Sequence, residues 1–301
     1  MAMSCQFPFT VAEICPGGDV YTCCPVFTSS YSLGNIYQDS FEAIWNGERA
    51  KHLRRLLLNK DFTLCDLSKC IYYQEPKDLS QYTEIAPYPT KVIFDHDTEC
   101  NCKCITCRDT LCSNSREELA ELDSKIETHL LPMLQKAHIA YLAGNGDPFA
   151  SRHYRKLIQR AAETYPSLRF DLHTNGLLCS RKQIQELGIL DRLNYIGMSI
   201  HACTPETYAK VIPERFGDQW HTLKMLEGLP QKIDELAAMG NDNINTFITE
   251  FLLLVAQQNA VAQNGNVETG LLGFLKKVAH KLPEPVEAAL KRIWRKLKHR
   301  S

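Results

Sequence analysis

Three cysteines on one short loop constrain this chain more than any other feature. Cys100, Cys104 and Cys107 have the spacing C-x3-C-x2-C and directly follow a strand-like run at residues 91–95. Three thiolates on a loop of this size can hold three corners of a [4Fe–4S] cluster, which leaves one iron open to a small molecule. The spacing therefore predicts an iron–sulfur site with a free coordination position at the end of a strand.

Zinc and disulfide roles for this loop have less support. A structural zinc site normally takes four ligands from two paired knuckles, and no matching second knuckle lies close by. Disulfides are not expected without a secretory signal, and the first five residues lack the basic and apolar regions of one. Cys102 is interpreted as a bystander between the ligands. The isolated cysteines are interpreted as buried free thiols: Cys112, Cys179 and Cys203.

The composition fits a metal-containing protein of a reducing compartment. The chain has 301 residues, 13 cysteines and a formal net charge of −1. It is too long for a disulfide-held mini-protein, so metal clusters explain the cysteine excess best. The near-zero charge argues against a nucleic-acid partner, and no apolar run reaches the roughly 18 residues that a membrane span needs. We therefore expect a cytoplasmic protein.

The chain divides near residue 88. The part before it is rich in turns, holds six cysteines, and contains a hairpin signal at Gly17-Gly18-Asp19 with helices expected at residues 40–45 and around residues 53–56. So small a segment buries little apolar surface, and a metal staple is physically reasonable. Four thiolates suit either zinc or an iron–sulfur cluster.

The second part alternates strand and helix patterns, which predicts a parallel sheet. A capping box at Ser115 and Glu118 begins the first helix, and a second helix begins near Ser151. Later helices are expected after Thr204 and from about residue 218. The predicted strands cover residues 91–95, 138–142, 169–173 and 195–200, with a less distinct fifth at 247–255.

Polar motifs follow these strands at their carboxyl ends, where β/α barrels keep their chemistry. Gly144-Asn145-Gly146-Asp147-Pro148 follows the second strand, and its glycines let backbone approach a ligand. Thr174-Asn175-Gly176 and Ser199-Ile200-His201 follow the third and fourth strands. For His201, a ligand-binding role and a plain surface role stay open. Residues 257–259 after the fifth strand give only a weak signal.

The cysteine loop and its position after a strand resemble the cluster loop of radical S-adenosylmethionine (radical SAM) enzymes. The motif at residues 144–148 is similar to that family's Gly-Gly-Glu-Pro loop, which receives the ammonium of SAM, with Asp147 in place of the glutamate. The resemblance implies a [4Fe–4S] cluster on Cys100, Cys104 and Cys107. It also implies SAM binding by six residues: Gly144, Asn145, Gly146, Asp147, Thr174 and Ser199.

The order of motifs in residues 5–70 resembles the SPASM or twitch auxiliary-cluster domain of the same enzymes. The pattern is Cys-x12-Gly-x4-Cys, then Gly-Asn, Ile-Trp-Asn and a cysteine pair. Carried over by residue, the auxiliary ligands are Cys5, Cys23, Cys65 and Cys70, and Cys24 is an alternative to Cys23. Two departures are that the domain precedes the barrel and that its last pair is spaced x4 rather than x2.

The resemblance implies an α/β fold: a partial (β/α) barrel of radical SAM type, with a small cysteine-rich α+β domain at the N-terminus. Because no sixth strand is recognisable, either the barrel is short of its last strand or the C-terminus has diverged. The expected division is residues 1–88 for the auxiliary domain, 89–270 for the barrel and 271–301 for a basic amphipathic helical tail. The tail fits either a helix that caps the barrel or an interfacial helix with weak membrane-surface contact.

The activity implied by the resemblance is reductive cleavage of SAM to a 5′-deoxyadenosyl radical, which abstracts hydrogen from a peptide, protein or sugar-like substrate. A reductant such as flavodoxin or ferredoxin would then be a partner. Two other classes stay open: a non-catalytic or electron-carrying iron–sulfur protein, and a zinc-stabilised binding module.

Overall fold

The structure, a computed structural model, describes residues 4–28, 30–70, 78–104, 107–142 and 145–199. A π-helical turn spans Ile126–Leu130, directly before the short helix Leu131–Met133. The helices within these ranges are α1 (Phe7–Thr10), α2 (Phe41–Trp45), α3 (Glu48–Leu58), α4 (Arg116–Ser124), α5 (Leu131–Met133), α6 (Arg152–Thr164) and α7 (Arg181–Glu186). The strands are β1 (Val11–Ile14), β2 (Asp19–Tyr21), β3 (Gly34–Asn35), β4 (Lys91–Phe94), β5 (Ile139–Leu142), β6 (Arg169–Thr174) and β7 (Leu193–Met198).

The seven strands form one mixed sheet in the order β3-β2-β1-β4-β5-β6-β7. The hairpin strands β1 and β2 are antiparallel, as are β2 and β3. By contrast, β1 pairs in parallel with β4, with Val11 opposite Lys91 and Ile14 opposite Phe94. The fold is therefore mixed α/β as predicted. Closure of the later strands into a partial barrel stays a prediction.

Two compact units account for the chain's contacts. The first comprises residues 1–99 and 113–171, and the second comprises residues 100–112 and 172–301. The division of the chain near residue 88 stays a prediction. Strand β1, which comes before residue 88, pairs with β4, which comes after it, and both strands belong to the first unit.

Local sequence signals account for most of the observed elements. Ser115 and Glu118 form both hydrogen bonds of the predicted capping box at the start of α4. Ser151 accepts a hydrogen bond from the Tyr154 backbone N–H and begins α6. Gly17 and Gly18 have φ values of 84° and 91° in the predicted hairpin turn, a conformation that glycine adopts without strain. These three predictions are confirmed.

Burial alternates along the central strands as a half-buried sheet requires. Val92 and Phe94 of β4 are buried, as are Ala140 and Leu142 of β5, while the residues between them are partly exposed. Helix α6 buries its predicted apolar face, and the Tyr154 hydroxyl donates to the Phe94 carbonyl oxygen at 3.1 Å. Part of the core of the first unit therefore lies between α6 and this face of the sheet, and buried residues of α2 and α3 form another part.

Several predictions fall outside the described residues. They are the fifth strand, the helices after Thr204 and from residue 218, the residue-257 motif, the C-terminal tail, Gly144, His201 and Cys203. In the described part of the chain, no helix is long and apolar enough to cross a membrane. The described elements that were not predicted include α1, β1 and α7, and the pairing of β1 with β4 was not predicted either.

A fully buried arginine fixes the N-terminal segment. Arg54 on α3 donates to the Pro8 carbonyl oxygen at 2.8 Å, to Asn46 Oδ1 at 2.9 Å and to the Glu84 carbonyl oxygen at 3.1 Å. Its guanidinium carbon lies 4.6 Å from the centroid of the Trp45 ring. Burial lowers the Arg54 pKa to about 10. The side chain still carries its charge at neutral pH and links α1 to the chain that leads into β4.

Replacing Arg54 by Met should lower the free energy of unfolding by about 3 kcal/mol, because three acceptors would lose a charged donor. The neighbouring Arg55 has a side chain that is 50% exposed in its ion pair with Glu84, so Arg55→Met is the matched control. An exposed ion pair contributes about 0–1 kcal/mol. Guanidinium unfolding of the iron-loaded proteins under anaerobic conditions measures both changes. Equal effects of the two substitutions would contradict the prediction.

Candidate metal centres

Four cysteines of the N-terminal segment line one cavity in the first unit. Cys5 precedes α1, Cys23 follows β2, and Cys65 and Cys70 lie in the turns after α3. Backbone hydrogen bonds form those turns, from the Cys65 N–H to the Phe62 carbonyl oxygen at 2.8 Å and from the Cys70 N–H to that of Asp66 at 3.0 Å. The rest of the lining is mostly apolar and includes Phe7, Phe27, Leu53, Leu57 and Phe62.

Burial favours the protonated form of the Cys5, Cys23 and Cys65 thiols. Burial and then the negative charges of Cys5 and Cys70 together raise the pKa of Cys65 to about 11. The Cys23 pKa is raised by burial and then by the charge on Cys5. Thiolates are the metal-binding form, so a bound cation must displace these protons. The four sulfurs suit a cluster with a positively charged core, because that charge would offset the repulsion between the thiolates.

The two adjacent cysteines after β2 have different surroundings. The charges acting on Cys23 include those of three other cysteines, Cys5, Cys65 and Cys70. The charges acting on Cys24 come from Glu13 and Asp95. Only Cys23 of this pair lines the cavity. The structure therefore brings together Cys5, Cys23, Cys65 and Cys70 and turns Cys24 toward the acidic groups.

The three-cysteine loop belongs to the second unit. The Cys104 carbonyl oxygen accepts the N–H groups of Cys107 and Arg108 at 2.9 and 3.1 Å, which forms a turn across the predicted ligands. The Arg108 guanidinium donates twice to Cys107 Sγ, each time at 3.4 Å. These two hydrogen bonds hold the guanidinium against a sulfur of the predicted ligand triad.

Cys102 does more than separate the predicted ligands. It is 4% exposed, and its backbone N–H donates to Cys100 Sγ at 3.4 Å. Side-chain hydrogen bonds to Cys100 and then to Cys104 raise the Cys102 pKa, with burial as a further cause. A protonated Cys102 therefore donates to neighbouring sulfurs. Such donors tune the potential of an iron–sulfur cluster.

The residues after β6 also reach the cysteine loop within the second unit. Asn175 donates from Nδ2 to Asn101 Oδ1 at 2.8 Å and approaches Cys100 Sγ at 3.9 Å. Thr174 Oγ1 accepts the Gly176 N–H at 3.1 Å and is buried. Ser199 Oγ lies 2.8 Å from His173 Nε2. Asn175 therefore contacts the cysteine loop, and SAM binding by Thr174 and Ser199 stays a prediction.

The motif after β5 packs against the backbone that leads into the cysteine loop. A Cβ on Gly146 would lie 2.7 Å from the Asp97 carbonyl oxygen, so only glycine fits there. The Asn145 N–H donates to Asp95 Oδ1 at 2.6 Å. Asp147 is 1% exposed, and its Oδ1 accepts the N–H groups of Phe149 and Ala150 at 3.0 and 3.1 Å. Asp147 therefore stabilises the turn in which it lies, and its binding of the SAM ammonium stays a prediction.

Buried carboxylates hold the segment between β4 and Cys100. Glu99 accepts the Arg152 N–H at 2.9 Å and pairs with its guanidinium, also at 2.9 Å. Asp97 accepts hydrogen bonds from the Ser151 hydroxyl and from Asn114 Nδ2, the latter at 2.9 Å. The start of α6 therefore holds residues 97–99, which directly precede the cysteine loop in sequence.

Comparison with known proteins bears on the N-terminal segment. Residues 5–71 match the family model of SPASM, an iron-sulfur cluster-binding domain. The match spans 67 residues (71 − 5 + 1) of 301, and it includes all four cysteines that line the cavity. No curated protein matches the chain. The predicted resemblance of residues 5–70 to SPASM is confirmed, and iron–sulfur binding is favoured over zinc in this segment.

Proposed function

We propose that this protein is a radical SAM enzyme with an N-terminal auxiliary cluster domain. One observation carries the proposal: a chain with a SPASM match at residues 5–71 also has a C-x3-C-x2-C loop after the parallel strand β4. SPASM domains typically accompany radical SAM cores, and a three-cysteine loop leaves one iron of a [4Fe–4S] cluster open. The combination favours an enzyme over an electron carrier with two closed clusters.

The chain's own residues would hold and tune the cluster. Cys100, Cys104 and Cys107 would provide its thiolates, and the Arg108 guanidinium would donate hydrogen bonds to the sulfur of Cys107. Cys102 and Asn175 would donate hydrogen bonds to the sulfur of Cys100. When bound and reduced, the group supplies the electron that cleaves SAM to a 5′-deoxyadenosyl radical. A one-electron reductant such as flavodoxin or ferredoxin is therefore a proposed partner.

The backbone at residues 145–147 would approach SAM from the end of β5. Gly146 gives the close backbone contact, and the hydrogen bond from Asn145 to Asp95 fixes the turn. Thr174 and Ser199 lie at the ends of the next two strands. We propose a peptide, protein or sugar-like substrate, with the auxiliary cluster accepting its electron or binding it directly.

Production of 5′-deoxyadenosine tests this function. The protein is purified and reconstituted anaerobically, reduced with dithionite, and incubated with SAM alone. We expect 5′-deoxyadenosine to form slowly without substrate and to stop forming in Cys104→Ala. Cys112→Ala is the matched control, because Cys112 lies in the same region outside the predicted triad. An iron-loaded wild type that forms no 5′-deoxyadenosine would leave an electron-carrying protein as the better interpretation.

Two substitutions at Asp147 separate its two possible roles. Asp147→Asn keeps an oxygen that can accept the Phe149 and Ala150 N–H groups but removes the negative charge. If Asp147 binds the SAM ammonium, this change should weaken SAM binding by about 10- to 100-fold, the equivalent of about 1.5–3 kcal/mol.

Asp147→Ala should weaken SAM binding similarly and also lose about 1 kcal/mol of stability, because the turn loses its acceptor. Equilibrium dialysis of SAM against the iron-loaded proteins measures the first effect, and unfolding measures the second. Wild-type affinity in Asp147→Asn would show that the carboxylate serves only the turn.

A further inference from the structure

Three potential metal ligands meet at the end of the β1–β4 pair. One ligand atom from each of Glu13, Cys15 and Asp95 lies within 4.8 Å of the other two. The parallel register explains this, because Glu13 pairs with Ile93 and side chains two residues apart share a face. Cys15 and Asp95 extend that same face by two residues beyond Glu13 and Ile93. The juxtaposition therefore follows from the pairing of the two strands.

Glu13 is the unusual member of this group. It is 5% exposed, and in the described part of the chain its carboxylate makes no hydrogen bond and no ion pair. Burial and then the negative charge on Asp95 together raise the Glu13 pKa to about 7. A buried carboxylate without a partner is costly. Its oxygens face the other two groups of the set, so a ligand held there would supply the missing partner.

The charges around the set are all of one sign. Cys15 is 8% exposed, and its pKa is raised by burial and then by four acidic groups: Glu13, Asp95, Cys24 and Asp19. Burial also raises the Asp95 pKa to about 6, although the Asn145 N–H partly offsets this. Among the described residues, none of the charges acting on these three groups is positive. The set lacks a cation.

We propose that Glu13, Cys15 and Asp95 bind one thiophilic divalent metal ion of the zinc class. Zinc takes Cys sulfur at about 2.3 Å and carboxylate oxygen at about 2.0–2.2 Å, so ligand atoms around it lie about 3.5 Å apart. Small side-chain movements would bring the set to that spacing. The thiolate argues for this class over Mg²⁺ or Ca²⁺, which prefer oxygen ligands alone. Binding would release the protons of Cys15 and Glu13.

The site differs from both iron–sulfur centres. It uses none of the seven cysteines assigned to clusters, and it therefore stands whether or not the proposed activity is correct. The ion would join the hairpin to the end of β4. Through the hydrogen bond between Asp95 and Asn145, it would also hold the turn after β5. Three protein ligands from two paired strands would hold the ion in the sheet, and a water molecule would complete its four-coordinate shell.

Zinc binding to the iron-loaded protein tests the proposal. Anaerobically reconstituted full-length protein is titrated with Zn²⁺ in competition with a chromophoric chelator, and iron is measured before and after. We expect one zinc per chain with no loss of iron. In Glu13→Gln, zinc binding should be weaker by at least about 100-fold at unchanged iron content, because one ligand is lost. Gln is nearly isosteric and removes a buried charge, so this variant should fold.

Two further measurements keep the result specific. Asp19→Asn changes a nearby acid outside the set and should bind zinc as the wild type does. Co²⁺ in place of zinc should give a thiolate charge-transfer band that disappears in Cys15→Ser. Zinc binding that is unchanged in Glu13→Gln, that displaces iron, or that is absent from the wild type would overturn the proposal.

Discussion

Replacing Cys100, Cys104 and Cys107 together by Ala should remove about half of the iron, about four atoms of eight, from the anaerobically reconstituted protein. The reason is that the triad and the four cavity cysteines supply separate ligand sets. The same variant should form no 5′-deoxyadenosine, because the open iron would be gone. Iron analysis and electron paramagnetic resonance of the reduced protein measure the loss.

The remaining iron makes this prediction specific. The triple variant should keep a cluster on Cys5, Cys23, Cys65 and Cys70, which lie together in the first unit. An unchanged iron content would contradict the assignment of the triad. Loss of all the iron would mean that the two ligand sets do not fold or load independently.

Replacing Cys23 by Ala should remove the auxiliary cluster, whereas replacing the adjacent Cys24 should leave it in place. Only Cys23 of this pair lines the cavity with the other three cysteines. A small segment held by a metal folds together with that metal. Cys23→Ala should therefore lose about four iron atoms and make residues 1–88 sensitive to protease. Cys24→Ala should keep about eight iron atoms and resist protease.

A double variant extends the same test. Cys65→Ala with Cys70→Ala should match Cys23→Ala in iron content and protease sensitivity, and its triad should still cleave SAM unproductively. Substrate turnover should fall if the auxiliary cluster accepts an electron or binds substrate. Full iron content and a protease-resistant N-terminal segment in the double variant would exclude Cys65 and Cys70 as ligands.

Local signals predicted the elements that depend on neighbours in sequence. The capping box at Ser115 and the apolar face of α6 follow from spacings of three and four residues, and both were recovered. The strands β4 to β7 were recovered for the same reason, because alternation or a short apolar run marks each one. The SPASM pattern was recoverable because its cysteines and turns occur in a fixed order.

Features that depend on long-range pairing could not be predicted in this way. Glu13 and Asp95 are 82 positions apart in sequence (95 − 13), and only the pairing of β1 with β4 brings them together. The sequence left Cys24 open as an alternative to Cys23 for a related reason. Strand β2 ends at Tyr21, so strand alternation no longer fixes which side chain faces inward. The structural role of Asp147 was hidden because it depends on the backbone of the following turn.

The parallel pairing of β1 with β4 has a consequence for biosynthesis and for expression of fragments. Val11 leaves the ribosome 80 residues before its partner Lys91. The edge of β1 that pairs with β4 therefore has no partner while the intervening chain is synthesised. A fragment that ends before residue 91 would keep that edge exposed, and one that begins at residue 89 would expose β4 instead. Exposed strand edges promote aggregation. The two proposed iron centres are therefore better separated by point substitutions than by expressing fragments of the protein.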